Sequence, residues 1–432
     1  MKGQARVLRP DRAQLQWDMV DLEGLLSVDH RARMVWAFVE SLELTAFYDL
    51  VAAREGEPGR PPADPAVLLA LWLYATLEGV GSARELDRLC ERDVAYRWLC
   101  GGVPVNYHGL SDFRAGHGDL LDRLLSESVA ALIAEGLVDL DEVTIDGTKV
   151  RASAGKRSFV GAEGLARAER VASERVARLK AEVDTDAGAS ARRKRAAAER
   201  AAREIAARAQ KARAMLDRLT AEKQERAKKH VKEEQAKGEP RVSLTDPEAR
   251  WMRFADGMIR AGYNMPIAAT DKGIVLSVMA SHRRNDAGLA MPMIDDIERR
   301  YGRAPKRALL DTNLAPADDI VALAERKPSA VIVYAPPPRQ RDDVKPDTLR
   351  RRAAARAKEP QPLKEWRDRM ASPQAQIIYR ARRRIELVNA HIKNRGFGQL
   401  SLRGLANAKI IALWHALAHN ILVAARLRFA VP

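Results

Sequence analysis

The first third of the chain places short apolar stretches between polar turns, a pattern that predicts packed helices. The longest apolar stretch there is AVLLALWLYATL at 66–77, where Asp64 and Pro65 supply an N-cap and a favourable first helical residue. A further helix is predicted over 82–100. We therefore expect residues 1–140 to form an all-helical domain. A helix-turn-helix-like module and a helical cap or dimerisation domain fit this pattern equally well.

After residue 140 the pattern changes from a helical to a strand-like period. Alternating or continuously apolar segments predict five strands, at 141–150, 262–270, 274–281, 306–311 and 330–336. Amphipathic stretches predict helices from Asp286, from Pro316 and over about 373–395. Strands followed by alternating helices and strands predict an α+β or α/β fold, with a mixed sheet flanked by helices.

Two segments interrupt this domain. Residues 160–237 consist mostly of Ala, Arg, Lys and Glu, which favours a solvated helical hairpin with its turn near 184–190 over a disordered tail. Residues 336–373 begin with three prolines and are strongly charged, so we expect an extended arm there. The predicted domains are thus 1–140, then 141–159 together with 238–432, and the insertion 160–237.

The charge is unevenly distributed along the chain. The formal net charge is +16, but residues 1–140 contain 14 Lys/Arg and 22 Asp/Glu, so the basic excess lies in the later residues. A local excess of this kind indicates a polyanionic partner, and nucleic acid is favoured over a membrane surface. The two cysteines form neither a CxxC pair nor a disulfide framework, which is typical of a reducing cytosol.

The most informative motif is YRARRRIELVNAHIK, which places Tyr379, Arg382, Glu386 and Lys393 at offsets 0, 3, 7 and 14. These offsets fall on one face of a continuous helix. One carboxylate among cationic and hydroxyl donors is better explained by a metal-bound phosphate than by a hydrophobic core. The alternative is a solvated basic helix, because the run RARRR is compatible with that as well.

Two further acids lie upstream on predicted strands. Asp146 follows alternating apolar residues within the first strand, and Asp311 ends the fourth. With Glu386 on the late helix, the order and the Tyr-x2-Arg-x3-Glu-x6-Lys spacing resemble DDE-class insertion-sequence transposases. The resemblance is to the subgroup with the Tyr-Arg-Glu-Lys signature and an InsH-type helical N-terminal domain. It extends to IDGTKVRASA, AGYNMPIAATD, WRDRM and SLRGLANAKIIALWHALAHNILVAARL.

This resemblance implies a ribonuclease H-like fold and a DNA transposase that cuts at terminal inverted repeats and joins the freed ends to a target. It implies that Asp146, Asp311 and Glu386 are catalytic and hold two Mg²⁺ ions, with Mn²⁺ as a substitute. It also implies DNA binding by Tyr379, Arg382 and Lys393, and Arg403 continues that surface. A homodimer on two DNA ends and a cytoplasmic, nucleoid-associated location follow, and residues 1–140 become the DNA-end-binding or dimerisation domain.

The sequence departs from the family pattern after the second acid, where Thr312, Asn313 and Leu314 stand in place of a small residue, Gly and an aromatic. This departure leaves a catalytically decayed DNA-binding protein of the same ancestry, acting as a repressor, as the alternative function. A basic helical scaffold is a third hypothesis, and it predicts that the three acids lie far apart.

Three other side chains have simpler explanations. His415 and His419 have an i, i+4 spacing that can bind zinc, but they lie in an apolar helix without a third ligand nearby, so we predict core or interface packing. Trp366 could stack on an unpaired base, yet burial as a loop anchor is the favoured interpretation.

Overall fold

A computed structural model of the chain describes residues 21–53, 61–181, 189–229, 238–338 and 346–430. The helices are α1 (Arg31–Glu40), α2 (Thr45–Asp49), α3 (Pro65–Leu77), α4 (Ala83–Arg92), α5 (Val94–Cys100), α6 (Tyr107–Gly116), α7 (Gly118–Ala134), α8 (Ala162–Ala181), α9 (Ala189–Lys229), α10 (Ala290–Tyr301), α11 (Ala317–Ala324), α12 (Pro346–Ala357), α13 (Gln361–Ala371), α14 (Pro373–Arg380), α15 (Arg383–Asn394) and α16 (Leu405–Phe429). The strands are β1 (Glu142–Arg151), β2 (Phe159–Val160), β3 (Val242–Ser243), β4 (Arg250–Arg253), β5 (Ile259–Thr270), β6 (Val275–Val278), β7 (Arg307–Leu309) and β8 (Ile332–Tyr334).

The N-terminal region is helical, as predicted. Helix α3 begins as expected, since the Asp64 carboxylate accepts a hydrogen bond from the backbone N–H of Ala66 at 2.8 Å and Pro65 occupies the first turn. The single helix predicted over 82–100 is instead two helices. Asp93 interrupts it because its side chain caps α5 through the N–H of Ala95.

The main sheet has the order β4-β5-β1-β7-β8, and β6 pairs with β5. Strand β1 is central: it runs antiparallel to β5 along most of its length and parallel to β7 at its start. Strands β7 and β8 are also parallel. The fold is therefore a mixed sheet flanked by helices, which confirms the predicted fold class.

Helix α16 lies in the centre of the molecule. It is the one described helix long and apolar enough to cross a membrane, but 72% of its most apolar window is buried in the protein. It packs against α3, α7 and β6, so the N-terminal helices and the sheet share one hydrophobic core. This buried helix contains His415 and His419, which were expected in an apolar helix.

Two predicted elements are wrong. The described part of the expected arm at 336–373 contains helices α12 and α13, with Pro362 in the first turn of α13. The continuous helix predicted over 373–395 is divided into α14 and α15. Ala381 and Arg382 have the dihedral angles of a tighter turn, and their N–H groups bond three residues back instead of four.

Helices α8 and α9 form the predicted hairpin, although residues 184–188 of its expected turn lie outside the described residues. The hairpin has a small core of its own, formed by Leu165, Ala212, Leu216 and Val242. An ion pair between Glu169 and Arg213 at 2.6 Å connects the two helices. The hairpin joins the sheet through the short strands β2 and β3.

Candidate active site

Asp146 and Asp311 are positioned by neighbouring parallel strands. Thr144 of β1 is paired with Leu309 of β7. Side chains alternate along a strand, so extending this register by two residues places Asp146 opposite Asp311 and on the same face. The extended register and the electrostatic effect of Asp311 on Asp146 both place these two acids, 165 positions apart in the sequence, near each other.

Helix α15 covers Asp146 with three polar side chains. Arg382, just before the helix, donates from one guanidinium nitrogen to Asp146 Oδ1 at 2.8 Å and from the other to Glu386 Oε1 at 3.1 Å. Asn389 donates from Nδ2 to Asp146 Oδ2 at 2.9 Å. Residues 382, 386 and 389 share one helical face, so the third predicted acid is linked to the first through Arg382.

Burial and neighbouring charges set the ionisation of Asp146. Burial raises the pKa of Asp146 to about 6, the Arg382 guanidinium opposes this rise, and the negative charges of three other carboxylates add to it. Those carboxylates belong to Asp311, Asp286 and Glu386. The site therefore concentrates negative charge around one buried carboxylate, with Arg382 as the cation in contact with it.

Sequence reasoning missed a fourth acid, Asp286. Its Oδ1 accepts a hydrogen bond from Asn264 Nδ2 at 2.6 Å. A Cβ atom placed on Gly147 would lie 2.1 Å from the same oxygen, so the glycine next to Asp146 makes room for Asp286. Asp286 precedes α10 in a loop, and no periodicity singles it out.

Sequence reasoning also missed Asn389, although a signal was present. It lies three residues after Glu386, on the helical face already identified by the Tyr-Arg-Glu-Lys spacing. Its amide is 7% exposed, and its Oδ1 has no hydrogen-bond partner among the described residues.

The predicted DNA-binding residues lie at different distances from the acids. Burial raises the pKa of the Tyr379 hydroxyl, and the nearby charges of Arg382, Asp311, Asp146 and Glu386 act on it as well. Partial removal of its amine from water lowers the pKa of Lys393, and the negative charge of Asp146 opposes this lowering. Tyr379 and Lys393 are therefore close to the acids, whereas Arg403 is exposed in the loop before α16, where Gly404 N–H bonds Asp246.

The oxygen atoms available as metal ligands at the site suit a hard divalent ion. Carboxylate and amide oxygens are the ligands that Mg²⁺ prefers, and the unpaired oxygens of Asn389 and Asn264 lie beside the acids. In the described part of the chain, however, no three His, Cys, Asp or Glu side chains are grouped closely enough to hold a metal ion. Glu386 has a side chain that is 61% exposed and is turned towards Arg382. The residue types fit the metal, but bringing Glu386 in requires a side-chain rearrangement.

A basic groove of about 580 Å³ begins at the strand that carries Asp146. Residues Gly147, Thr148 and Lys149 form one wall, and Lys393 forms part of the other. The adjoining ends of β4 and β5 contribute Arg253 and Arg260. A positively charged groove next to a buried carboxylate is suited to a phosphodiester backbone.

The loop after Asp311, where the sequence departs from the family pattern, is well ordered by local contacts. Asp311 Oδ1 accepts the backbone N–H of Leu314 at 2.7 Å, and Leu314 is fully buried. Thr312 donates its hydroxyl to the carbonyl of Pro336 at 3.0 Å. The loop thus holds Asp311 beside Asp146 without the glycine and aromatic of the family pattern.

The simpler explanations for the remaining side chains are confirmed. Trp366 is 4% exposed, as its predicted burial requires, but it lies in α13 and not in a loop. His415 packs on the ring of Phe397, and His419 lies 3.0 Å from the carbonyl oxygen of Gly273. Burial lowers the pKa of His415 to about 3 and that of His419 to about 4, so both are neutral core residues.

The mixed sheet flanked by helices defines the fold class, which is ribonuclease H-like. Comparison with known families agrees with this: residues 20–116 match the family described as Transposase domain (DUF772), and residues 241–421 match Transposase DDE domain. The chain belongs to the DDE-class insertion-sequence transposases. No curated protein and no solved structure was found to match it.

The two matched ranges do not cover the whole site. Asp311 and Glu386 lie within the range of the DDE family, whereas Asp146 and the α8–α9 hairpin lie between the two ranges. The assignment of Asp146 therefore depends on the register of β1 with β7 and on its contacts with α15.

Proposed function

We propose that this transposase binds the terminal inverted repeats of its element and catalyses Mg²⁺-dependent cleavage and transfer of DNA strands. The observation that carries the proposal is the linkage of Asp146 to Glu386 through Arg382, with Asp311 in register beside Asp146. Three acids distant in the sequence share one charged site, as phosphodiester chemistry requires.

The proposed metal ligands are Asp146, Asp311 and Glu386. Two Mg²⁺ ions, or Mn²⁺ in their place, would supply charge stabilisation for the attacking and leaving oxygens. Within the chain, Asn389 fixes the orientation of the Asp146 carboxylate by donating to Oδ2. Asp311 retains a second carboxylate oxygen, because Leu314 N–H bonds to Oδ1.

The cationic and hydroxyl side chains would hold the DNA backbone. Arg382 presents two guanidinium edges and can exchange its bonds to Asp146 and Glu386 for bonds to a phosphate. Tyr379 and Lys393 flank the same acids, and Lys393 also lines the basic groove. Arg403 would contact the DNA farther from the reacting phosphate.

The domain roles follow from this proposal. Residues 1–140 would bind the DNA end or dimerise, and residues 141–159 with 238–432 would form the catalytic domain, with 160–237 as an inserted hairpin. Two element ends require a homodimer in a synaptic complex. The protein would act in the cytoplasm on the nucleoid.

The test is cleavage of DNA that carries an element end, with Mg²⁺ present or removed by a chelator. Glu386→Gln should abolish cleavage and leave end binding intact, because the substitution removes the charge and keeps the shape. Glu325→Gln is a matched control, since Glu325 is exposed at the end of α11. Cleavage by Glu386→Gln at the wild-type rate would contradict the proposal. End binding by the wild-type protein without any cleavage would instead support the decayed repressor.

A further inference from the structure

The α8–α9 hairpin carries a concentrated positive charge outside the active site. Residues 189–229 contain 14 Lys/Arg and five Asp/Glu, and residues 162–181 contain five Lys/Arg and three Asp/Glu. The excess is greatest away from the small core at the base of the hairpin, because residues 189–208 contain seven Lys/Arg and only two Asp/Glu.

Several of these cations form no ion pair among the residues that the structure describes. Arg170, Arg175 and Arg178 on α8 and Arg200 on α9 are exposed, and none of them forms an ion pair within the described part of the hairpin. The basic residues nearer the base are more often paired, for example Arg218 with Glu222 at 3.1 Å. These exposed cations, which have no ion pair within the described residues, are available to an external anion.

The base of the hairpin lies beside the active-site region. The charges of Arg218 and Glu222 on α9 act on the pKa of His282, which burial lowers. His282 lies four residues before Asp286, the acid that contributes to the charge around Asp146. The base of the hairpin is therefore close to the segment that leads to Asp286.

The dimensions of the hairpin suit a DNA duplex. The 20 residues 189–208 lie beyond the base, and at 1.5 Å per residue they extend about 30 Å. A duplex rises 3.4 Å per base pair, so this length follows roughly nine base pairs of backbone. Beyond the small core formed by Leu165 and Leu216, the buried positions of the two helices include the alanines Ala172, Ala202 and Ala209.

We infer that the α8–α9 hairpin is a DNA clamp that follows the phosphate backbone of the duplex next to the reacting end. The inference depends on the proposed function for its DNA partner. It assigns no sequence reading to the hairpin, because phosphate contacts position a duplex without specifying its bases. The alternative occupant, a second copy of the chain, is separated from DNA by the experiment below.

The experiment measures the affinity of the full-length protein for end-containing duplex DNA against NaCl concentration by fluorescence anisotropy. The test variant carries Arg170→Gln, Arg175→Gln, Arg178→Gln and Arg200→Gln. A matched control carries Arg351→Gln, Arg352→Gln and Arg356→Gln on α12 and Lys358→Gln just after it, all at exposed positions. Each lost phosphate contact should reduce the slope of log K against log[NaCl] by about 0.9.

If the hairpin is a clamp, the magnitude of the slope of log K against log[NaCl] should fall by about 2 to 4 for the hairpin variant and by less than 1 for the control. The difference between wild type and variant should disappear on duplexes shortened by roughly nine base pairs at the clamped side. Equal losses in both variants, or a difference that persists on short duplexes, would overturn the inference. A fall in molecular mass by light scattering with an unchanged slope would assign the surface to a second copy of the chain.

The outcome is distinguishable from failure of the proposed function. At saturating DNA the hairpin variant should cleave at the wild-type rate, since none of its four substitutions touches the acids. If the wild-type protein does not cleave DNA but its slope still differs from that of the hairpin variant, catalysis would be refuted and the clamp would be supported. Should the fourfold variant not fold, Arg175→Gln with Arg178→Gln alone predicts a slope smaller by about 1 to 2.

Discussion

Asn389 Nδ2 lies 2.9 Å from Asp146 Oδ2, which makes a helix residue 243 positions away the direct support of the buried carboxylate. The other oxygen of Asp146 is bonded to Arg382 at 2.8 Å. Both carboxylate oxygens are thus held by the segment that also carries Glu386. The orientation of Asp146 and the position of α15 are consequently interdependent.

Replacing Asn389 by Ala should impair catalysis without weakening DNA binding. The substitution removes the donor to Asp146 Oδ2, and loss of a residue that orients a metal ligand commonly reduces activity or metal affinity by about 10- to 100-fold. We expect a higher Mg²⁺ concentration for half-maximal cleavage and an unchanged Kd for end DNA. A variant with a normal Mg²⁺ dependence would show that Asn389 has only a packing role.

Replacing Arg382 by Gln should make the free protein more responsive to Mg²⁺. Arg382 is 14% exposed and neutralises Asp146, so its loss leaves a buried charge uncompensated and lowers the Tm. A divalent ion can restore that compensation, and binding to the folded state raises the Tm. We therefore expect a larger Mg²⁺-induced increase in Tm for the variant than for wild type.

Arg326→Gln is the control for this prediction. Arg326 is 11% exposed and pairs with Asp295 and Glu298, two acids outside the site. Its loss should lower the Tm with no additional response to Mg²⁺. Equal responses in all three proteins would mean that Arg382 and the ion do not compete for Asp146.

Replacing Gly147 by Ala should destabilise the site. The added methyl group would lie 2.1 Å from Asp286 Oδ1, so Asp286 must move and release buried Asn264. Overpacking of this kind costs roughly 1–3 kcal/mol, which urea denaturation can measure. Gly155→Ala should be neutral, because no atom lies within 4 Å of its added methyl group. Equal stabilities for the two variants would contradict this account of Gly147.

The buried histidines should make the protein less stable at mildly acidic pH. Burial lowers the folded-state pKa of His419 to about 4, below the usual 6.5, so the unfolded chain binds the proton first. The contribution of neutral His419 to the free energy of unfolding is fully present above pH 6.5 and is lost as the pH falls towards 4. At pH 5.0 the loss from this residue reaches about 2 kcal/mol.

His419→Gln tests this directly. The variant should lose about 2 kcal/mol less than wild type between pH 7.5 and pH 5.0 in urea denaturation. Exposed His108 provides a control, since His108→Gln should keep the wild-type pH dependence. An unchanged pH dependence in His419→Gln would show that this histidine does not set the acid limit.

Local sequence patterns predicted the elements of the fold well. The strand containing Asp146 was predicted correctly because its apolar residues alternate. Helix α3 was predicted correctly because it is a long apolar stretch with a capping residue at its start. The break between α14 and α15 was not predictable from that pattern. A single-face spacing assumes a uniform helix, whereas the turn at Ala381 and Arg382 shifts Tyr379 relative to Glu386.

The candidate site was predictable only where strand order or helical spacing connects its residues. Asn389 shares the face of Glu386 and could have been found from spacing. Asp286 could not, because its proximity to Asp146 depends on the space left by Gly147 and on the bond from Asn264. Tertiary contacts of this kind leave no period in the sequence.

The most direct test of the catalytic account is anomalous diffraction from crystals of the protein with end DNA and Mn²⁺. The account predicts manganese peaks within coordinating distance of the Asp146 and Asp311 carboxylates, with Glu386 turned inward and Arg382 released from Asp146. Manganese bound elsewhere in a complex that cleaves its DNA, with Asp146 still held by Arg382, would contradict it.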